Sequence, residues 1–123
     1  MQNEMDLNDL LVSLLGETGL PVKQDEYDGK SDKYIIFTYE DEGPAIFADN
    51  EVTADTAFLQ IQLVTPKKFD YFPLKKQIRN LLEDADFIVT SIRSFLGDVY
   101  VGTEKTRQTV FNVKYTEGRK EED

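Results

Sequence analysis

Residues 59–87 read LQIQLVTPKKFDYFPLKKQIRNLLEDADF. Leu59, Ile61 and Leu63 alternate with Gln60, Gln62 and Val64, the two-residue period of a strand with one apolar face and one mostly polar face. Thr65-Pro66-Lys67-Lys68 interrupts that period, and from near Asp70 a helical one replaces it. Leu74, Ile78, Leu81, Leu82 and Ala85 recur at helical spacing, with Pro73 in the first turn, where proline is tolerated. A strand feeding an amphipathic helix is thus expected, and the helix's other face carries Lys75, Lys76 and Arg79. Such a cationic stripe ordinarily faces water; its alternative use is contact with an acidic partner surface.

Upstream, Leu7, Leu10, Leu11, Leu14 and Leu15 place five leucines on one stripe of a first helix, which Asp6 can cap and Gly16 can end. Gly19 and Pro21 forbid its continuation, and the polar stretch 21–32 reads as an extended surface connection. Within it QDEYDGKSD sets Gly29 after Asp28 as a calcium loop would, but Gln24 and Ile35 stand where the first and the bidentate ligands belong, so no metal is expected. Tyr34–Tyr39, YIIFTY, is apolar on both alternating faces, which suits a strand covered on both sides or one that meets another subunit. Ile35 and Tyr39 are the candidate subunit-contact residues. Two acidic turns follow, Glu40-Asp41-Glu42-Gly43-Pro44 and Asp49-Asn50-Glu51, around the short apolar run Ala45–Ala48, the pattern of a projecting hairpin or loop.

Downstream, strands are expected over Phe87–Phe95 and Thr109–Thr116, with a loop and a short extended piece at Val99–Val101 between them. The fold class is therefore α+β: a mixed or antiparallel sheet of about four to six strands against two amphipathic helices, with a projecting acidic hairpin. Leu10, Leu14, Leu59, Ile61, Ile78, Leu81 and Phe111 are the expected core. Residues 1–116 form one domain and 117–123 a charged tail, without an apolar side chain, that should be disordered alone.

At 123 residues the chain is one domain's length, enough to bury about 65% of its unfolded surface without covalent or metal staples. It has no Cys, which removes disulfides, thiolate metal sites and thiol catalysis, and no His, the usual general base. No Gly-rich phosphate loop opens a helix, and the acids cluster in exposed turns where carboxylate pKa values stay ordinary. No enzyme activity, cofactor or metal is expected. The longest apolar runs are far below the ~20 residues of a membrane span, and the N-terminal MQNEMDLND is acidic, unlike a targeting peptide.

The net charge is −10, from 24 acids against 14 bases, and residues 1–50 hold 12 acids and 3 bases of that total. Phosphate binding relies on cations, so nonspecific nucleic-acid or anionic-membrane binding is disfavoured.

The leucine-rich first helix, the proline-marked link, the aromatic strand, QIQLVTPKKFDYFPLKKQIRNLLEDADF and the last strand VFNVKY resemble small bacteriophage tail-completion proteins of the tail-terminator, head-to-tail-joining type. The likeness spans most of residues 7–116; the acidic segment 40–51 and the charged tail have no counterpart in it. It implies a non-enzymatic homo-oligomer, usually a hexameric ring, in the virion tail after synthesis in the host cytoplasm. Such a ring caps the tail tube and faces the head connector.

Geometry is compatible with that expectation. A compact chain of this length has a radius of gyration near ~14 Å, and six such bodies in a ring leave a hole about 35 Å wide, enough for duplex DNA. Acidic side chains lining that hole would let DNA slide where cations would hold it. Glu40, Asp41, Glu42, Asp49 and Glu51 are accordingly candidate channel-facing residues. The competing expectation is an acidic DNA mimic that blocks a host nucleic-acid-binding protein.

Overall fold

A computed structural model describes residues 7–41, 54–101 and 104–118. Two helices, α1 (Leu7–Leu15) and α2 (Phe72–Asp84), accompany five strands: β1 (Val22–Gln24), β2 (Tyr34–Asp41), β3 (Ala54–Pro66), β4 (Ile88–Val101) and β5 (Glu104–Gly118). The strands form one open mixed sheet in the order β1-β2-β3-β5-β4. Only β1 and β2 run parallel; the other neighbours are antiparallel. This is the expected α+β architecture, and among the described residues no helix is long and apolar enough to cross a membrane.

The register builds the core row by row. Phe37, Ile61, Phe111 and Ile92 lie opposite one another across β2, β3, β5 and β4, and Tyr39, Leu59, Val113 and Val89 form the next row on the same face. Both helices cover that face, setting Leu11, Leu15, Ile78 and Leu82 against Ile35, Phe37, Leu59, Ile61, Leu63 and Phe111, all essentially without solvent contact. Leu10 and Leu14 pack at the margin of this cluster, and Leu81 is half-buried outside it. The expected core is therefore correct in its strands and at Ile78, but Leu11 and Leu15 stand in it where Leu10 and Leu14 were expected, and Leu82 where Leu81 was.

The helix ends follow from local chemistry. After α1 a single 3-10 turn at Gly16–Thr18 runs into Gly19, whose φ of 84° is the left-handed conformation that glycine adopts without a Cβ penalty. Asp70 Oδ1 accepts a hydrogen bond from the Phe72 N–H at 3.3 Å, and Pro73 occupies the first turn of α2. At its other end Asp86 turns left-handed (φ 72°), and the Phe87 N–H donates to the Leu82 carbonyl at 2.9 Å. That closure swings Phe87 into the core, 4.4 Å from the Tyr115 ring.

Two stretches differ from expectation. The link after Pro21 holds β1: the Ile35 N–H donates to the Pro21 carbonyl at 2.8 Å, and Val22 pairs beside Ile35. The connection from β1 back to β2 then stacks Tyr27 on Tyr34 at 4.4 Å, over the face without helices, and a Cβ on Gly29 would collide with the Tyr27 ring. The expected loop between the last two strands is instead mostly strand, since β4 and β5 continue to Val101 and from Glu104 as one long hairpin. β5 also extends to Gly118, two residues past the expected end of the domain.

Candidate functional site

The second half of the sheet carries the distinctive surface. β4 is an edge strand of 14 residues, and its outer edge pairs with no described strand. Apolar side chains stand exposed on both of its faces. Ile88 (55% exposed) and Phe95 (38%) lie on the face without helices, and Leu96 (40%) on the helix-covered face. An edge of this kind offers unsatisfied backbone donors and acceptors together with apolar area, the combination that recruits another chain.

Above the helix-covered face of β4 runs α2, and the two enclose a groove of about 260 Å³ lined by Phe72, Lys75, Lys76, Arg79 and Ile92. Its form follows from the periodicity of α2. Leu74, Ile78 and Leu82 turn one stripe into the core, so Phe72, Lys75, Lys76 and Arg79 occupy neighbouring positions facing the strand's open side. Ile92 supplies an apolar floor. Phe72 is 60% exposed yet fixed: its ring stacks on Tyr71 at 4.8 Å and lies under the Lys75 ammonium at 5.6 Å. Tyr71 in turn lies 5.1 Å from the Arg107 guanidinium. Cation, two rings and cation thus form a ladder along the helix start, with each charge held against an aromatic face.

The cations of the groove form no described ion pair. Among the described residues the one ion pair is Lys33 with Asp32, so Lys75, Lys76 and Arg79 have no described carboxylate within 4.0 Å. In a chain of net charge −10, this is a local reversal of sign. Close by on the same sheet face, Thr65 and Arg107 are cross-strand partners, and the buried Thr65 Oγ1 and Arg107 Nε find no hydrogen-bond partner.

The residues singled out from sequence fall elsewhere. Ile35 is fully buried beneath the helices and cannot meet a second subunit, which corrects its assignment as an outward contact: β2 turns Ile35, Phe37 and Tyr39 inward, and Tyr34, Ile36 and Thr38 onto the open face. Tyr39 shares the inward face. It packs edge-on against Phe37 at 6.1 Å and its hydroxyl bonds the Asn8 side chain, which ties α1 to the sheet. Glu40 is exposed at the end of β2, and Asp41 lies opposite Phe58 across a bulge. Glu42, Asp49 and Glu51 lie outside the described residues, as does the apolar run Ala45–Ala48. Among the described residues no group of three or more acidic, His or Cys side chains could hold a metal ion.

Periodicity exposed the Lys75-Lys76-Arg79 stripe but not Ile92 beneath it, because that pairing depends on β4 rather than another strand lying under α2. The chain matches no protein-family model and no curated protein.

Proposed function

We propose that the chain is a structural subunit of a bacteriophage tail. Copies of it join into a ring, hexameric by the resemblance, that completes the tail tube and meets the head connector, with DNA passing through. The observation that carries the proposal is the β4 edge: a fourteen-residue strand whose outer side pairs with no described strand, with exposed Ile88, Phe95 and Leu96, beside the groove under α2. Register shifts between Val89 and Ser91 and between Leu96 and Tyr100 interrupt the strand, and Arg93 adds charge, yet no described strand covers its outer side and the exposed apolar side chains remain. Apolar side chains exposed on such a strand suit a contact with another copy, and a repeated heterologous contact closes into a ring when its rotation permits.

Light scattering of the purified chain across a concentration series tests the proposal, together with incorporation into tail tubes. A mass well above 14.1 kDa that falls when Phe95 is replaced by Lys supports it. A persistent 14.1 kDa species that binds one basic protein with steep salt dependence would instead favour the DNA mimic.

A further inference from the structure

We infer that the groove between α2 and β4 receives the acidic segment 40–51 of a second copy of this chain. The inference rests on the proposal that the chain self-assembles, and it specifies the contact. The segment reads EDEGPAIFADNE: the apolar run Ala45-Ile46-Phe47-Ala48 lies between Glu40, Asp41 and Glu42 on one side and Asp49 and Glu51 on the other, with no cation in it. The groove has the reciprocal composition, an apolar floor of Phe72 and Ile92 under a rim of Lys75, Lys76 and Arg79. At 260 Å³ it suits a short apolar run and not a folded element.

Charge makes the match consequential. Two copies at −10 each repel, so a contact between them forms most readily where positive charge is concentrated. The rim is such a place, since its cations have no described carboxylate partner. Apolar insertion would supply affinity, and the flanking acids would set register and exclude other segments.

The same chain's segment is poorly tethered for this. Ile92 lies level with Ile61 through Phe111, and Ala54, where β3 begins, is seven residues from Ile61, about 23 Å along the strand. Two strand spacings add about 10 Å sideways, and the groove lies above the sheet, so Phe47 would have to reach a point more than about 25 Å from Ala54. Seven residues span at most ~25 Å when fully taut, before any detour around the helices on this face. A segment from a second copy carries no such restraint.

The experiment uses the full chain in three forms, with thermal melting to verify folding. A groove variant carries Lys75→Glu, Lys76→Glu and Arg79→Glu; a segment variant carries Asp41→Lys, Glu42→Lys, Asp49→Lys and Glu51→Lys. Each alone is expected to weaken self-association at least tenfold, read as mass against concentration. Mixing the two is expected to restore the wild-type mass, because each then offers a groove opposite in charge to the other's segment. A wild-type oligomer that persists in both variants, or a mixture that fails to recover, overturns the groove contact and leaves self-assembly standing. A wild-type chain that stays at 14.1 kDa at all concentrations overturns both.

Discussion

Leu82 and Leu81 are adjacent leucines of α2 with different environments: Leu82 is fully buried in the core, whereas Leu81 is half-buried outside it. Adjacent helical positions lie about 100° apart, so a rotation of α2 by that angle would exchange their roles. Leu82→Ala removes three heavy atoms from a closed site. The lost transfer free energy is about 2.4 kcal/mol, at ~0.8 per methylene, and the residual cavity raises the expected cost to about 3–4 kcal/mol. Leu81→Ala should cost about 1 kcal/mol or less, since water already reaches that side chain. For a domain of this size the first change lowers the melting midpoint by roughly 12–16 °C and the second by no more than about 4 °C. Urea denaturation is the better assay because its slope verifies that both variants unfold to the same state. With a slope near 1.5 kcal/mol/M, Leu82→Ala moves the midpoint down by about 2 M. An equal or larger loss from Leu81→Ala would refute the packing of α2 described above, and with it the facing of Lys75 and Arg79 toward the groove.

Two further outcomes follow from single side chains. Thr65 is fully buried with its hydroxyl unpartnered, so the near-isosteric Thr65→Val should raise stability by about 1 kcal/mol in the same urea assay; a loss would show that the hydroxyl is satisfied in solution. Burial pushes the Tyr34 phenol above its ordinary value of 10.0, and repulsion from the neighbouring Tyr27 adds to the shift. A folded-state value above the unfolded one means the folded chain holds its proton longer, so this contribution is intact below pH 10 and is lost as pH rises through the folded-state value. Urea midpoints from about pH 9 to 11 should therefore fall more steeply in the wild type than in Tyr34→Phe, and parallel curves would count against the shift.

What could be read from the residues depended on how each element makes its contacts. β3 and α2 were legible because alternation at Leu59-Ile61-Leu63 and helical spacing at Leu74-Ile78-Leu82 each bury a complete face. Helix phase was read correctly only at Ile78, because the pairs Leu10/Leu11, Leu14/Leu15 and Leu81/Leu82 offer adjacent leucines between which spacing alone does not choose. YIIFTY, apolar on both faces, gives no indication of which face the helices cover, and so Ile35 was placed outward when it lies in the core. β1 was hidden because three residues with one buried valine carry no period; its pairing comes from the Pro21 carbonyl and the edge of β2. The far ends of β4 and β5 read as loop because Gly97, Asp98 and Gly102 are turn residues, yet a hairpin arm is held by backbone pairing and needs little apolar alternation. The candidate site was half legible for the same reason. Its cations share a helix stripe, whereas its floor comes from Ile92, about two turns of sequence beyond that helix.

The acidic segment 40–51 stands between two assignments, and the charges on α2 distinguish them. If Glu40, Asp41, Glu42, Asp49 and Glu51 line a channel, their task is to avoid holding DNA. The segment variant would then still form a ring, and that ring would retain DNA at low salt by counterion release. A segment seated in the neighbour's groove behaves differently, since its reversal removes the ring and leaves no channel in which to measure retention. The groove variant separates the cases more sharply because it leaves the segment untouched. A channel lining is indifferent to Lys75, Lys76 and Arg79, which lie on a helix packed against the sheet, whereas a docked segment loses its counter-charges when they are reversed. Docking also accounts for a feature that channel lining does not. Acidity alone would suffice to repel DNA, but the segment carries Ile46 and Phe47 between its acids, and side chains of that size facing an aqueous channel would be left without apolar partners.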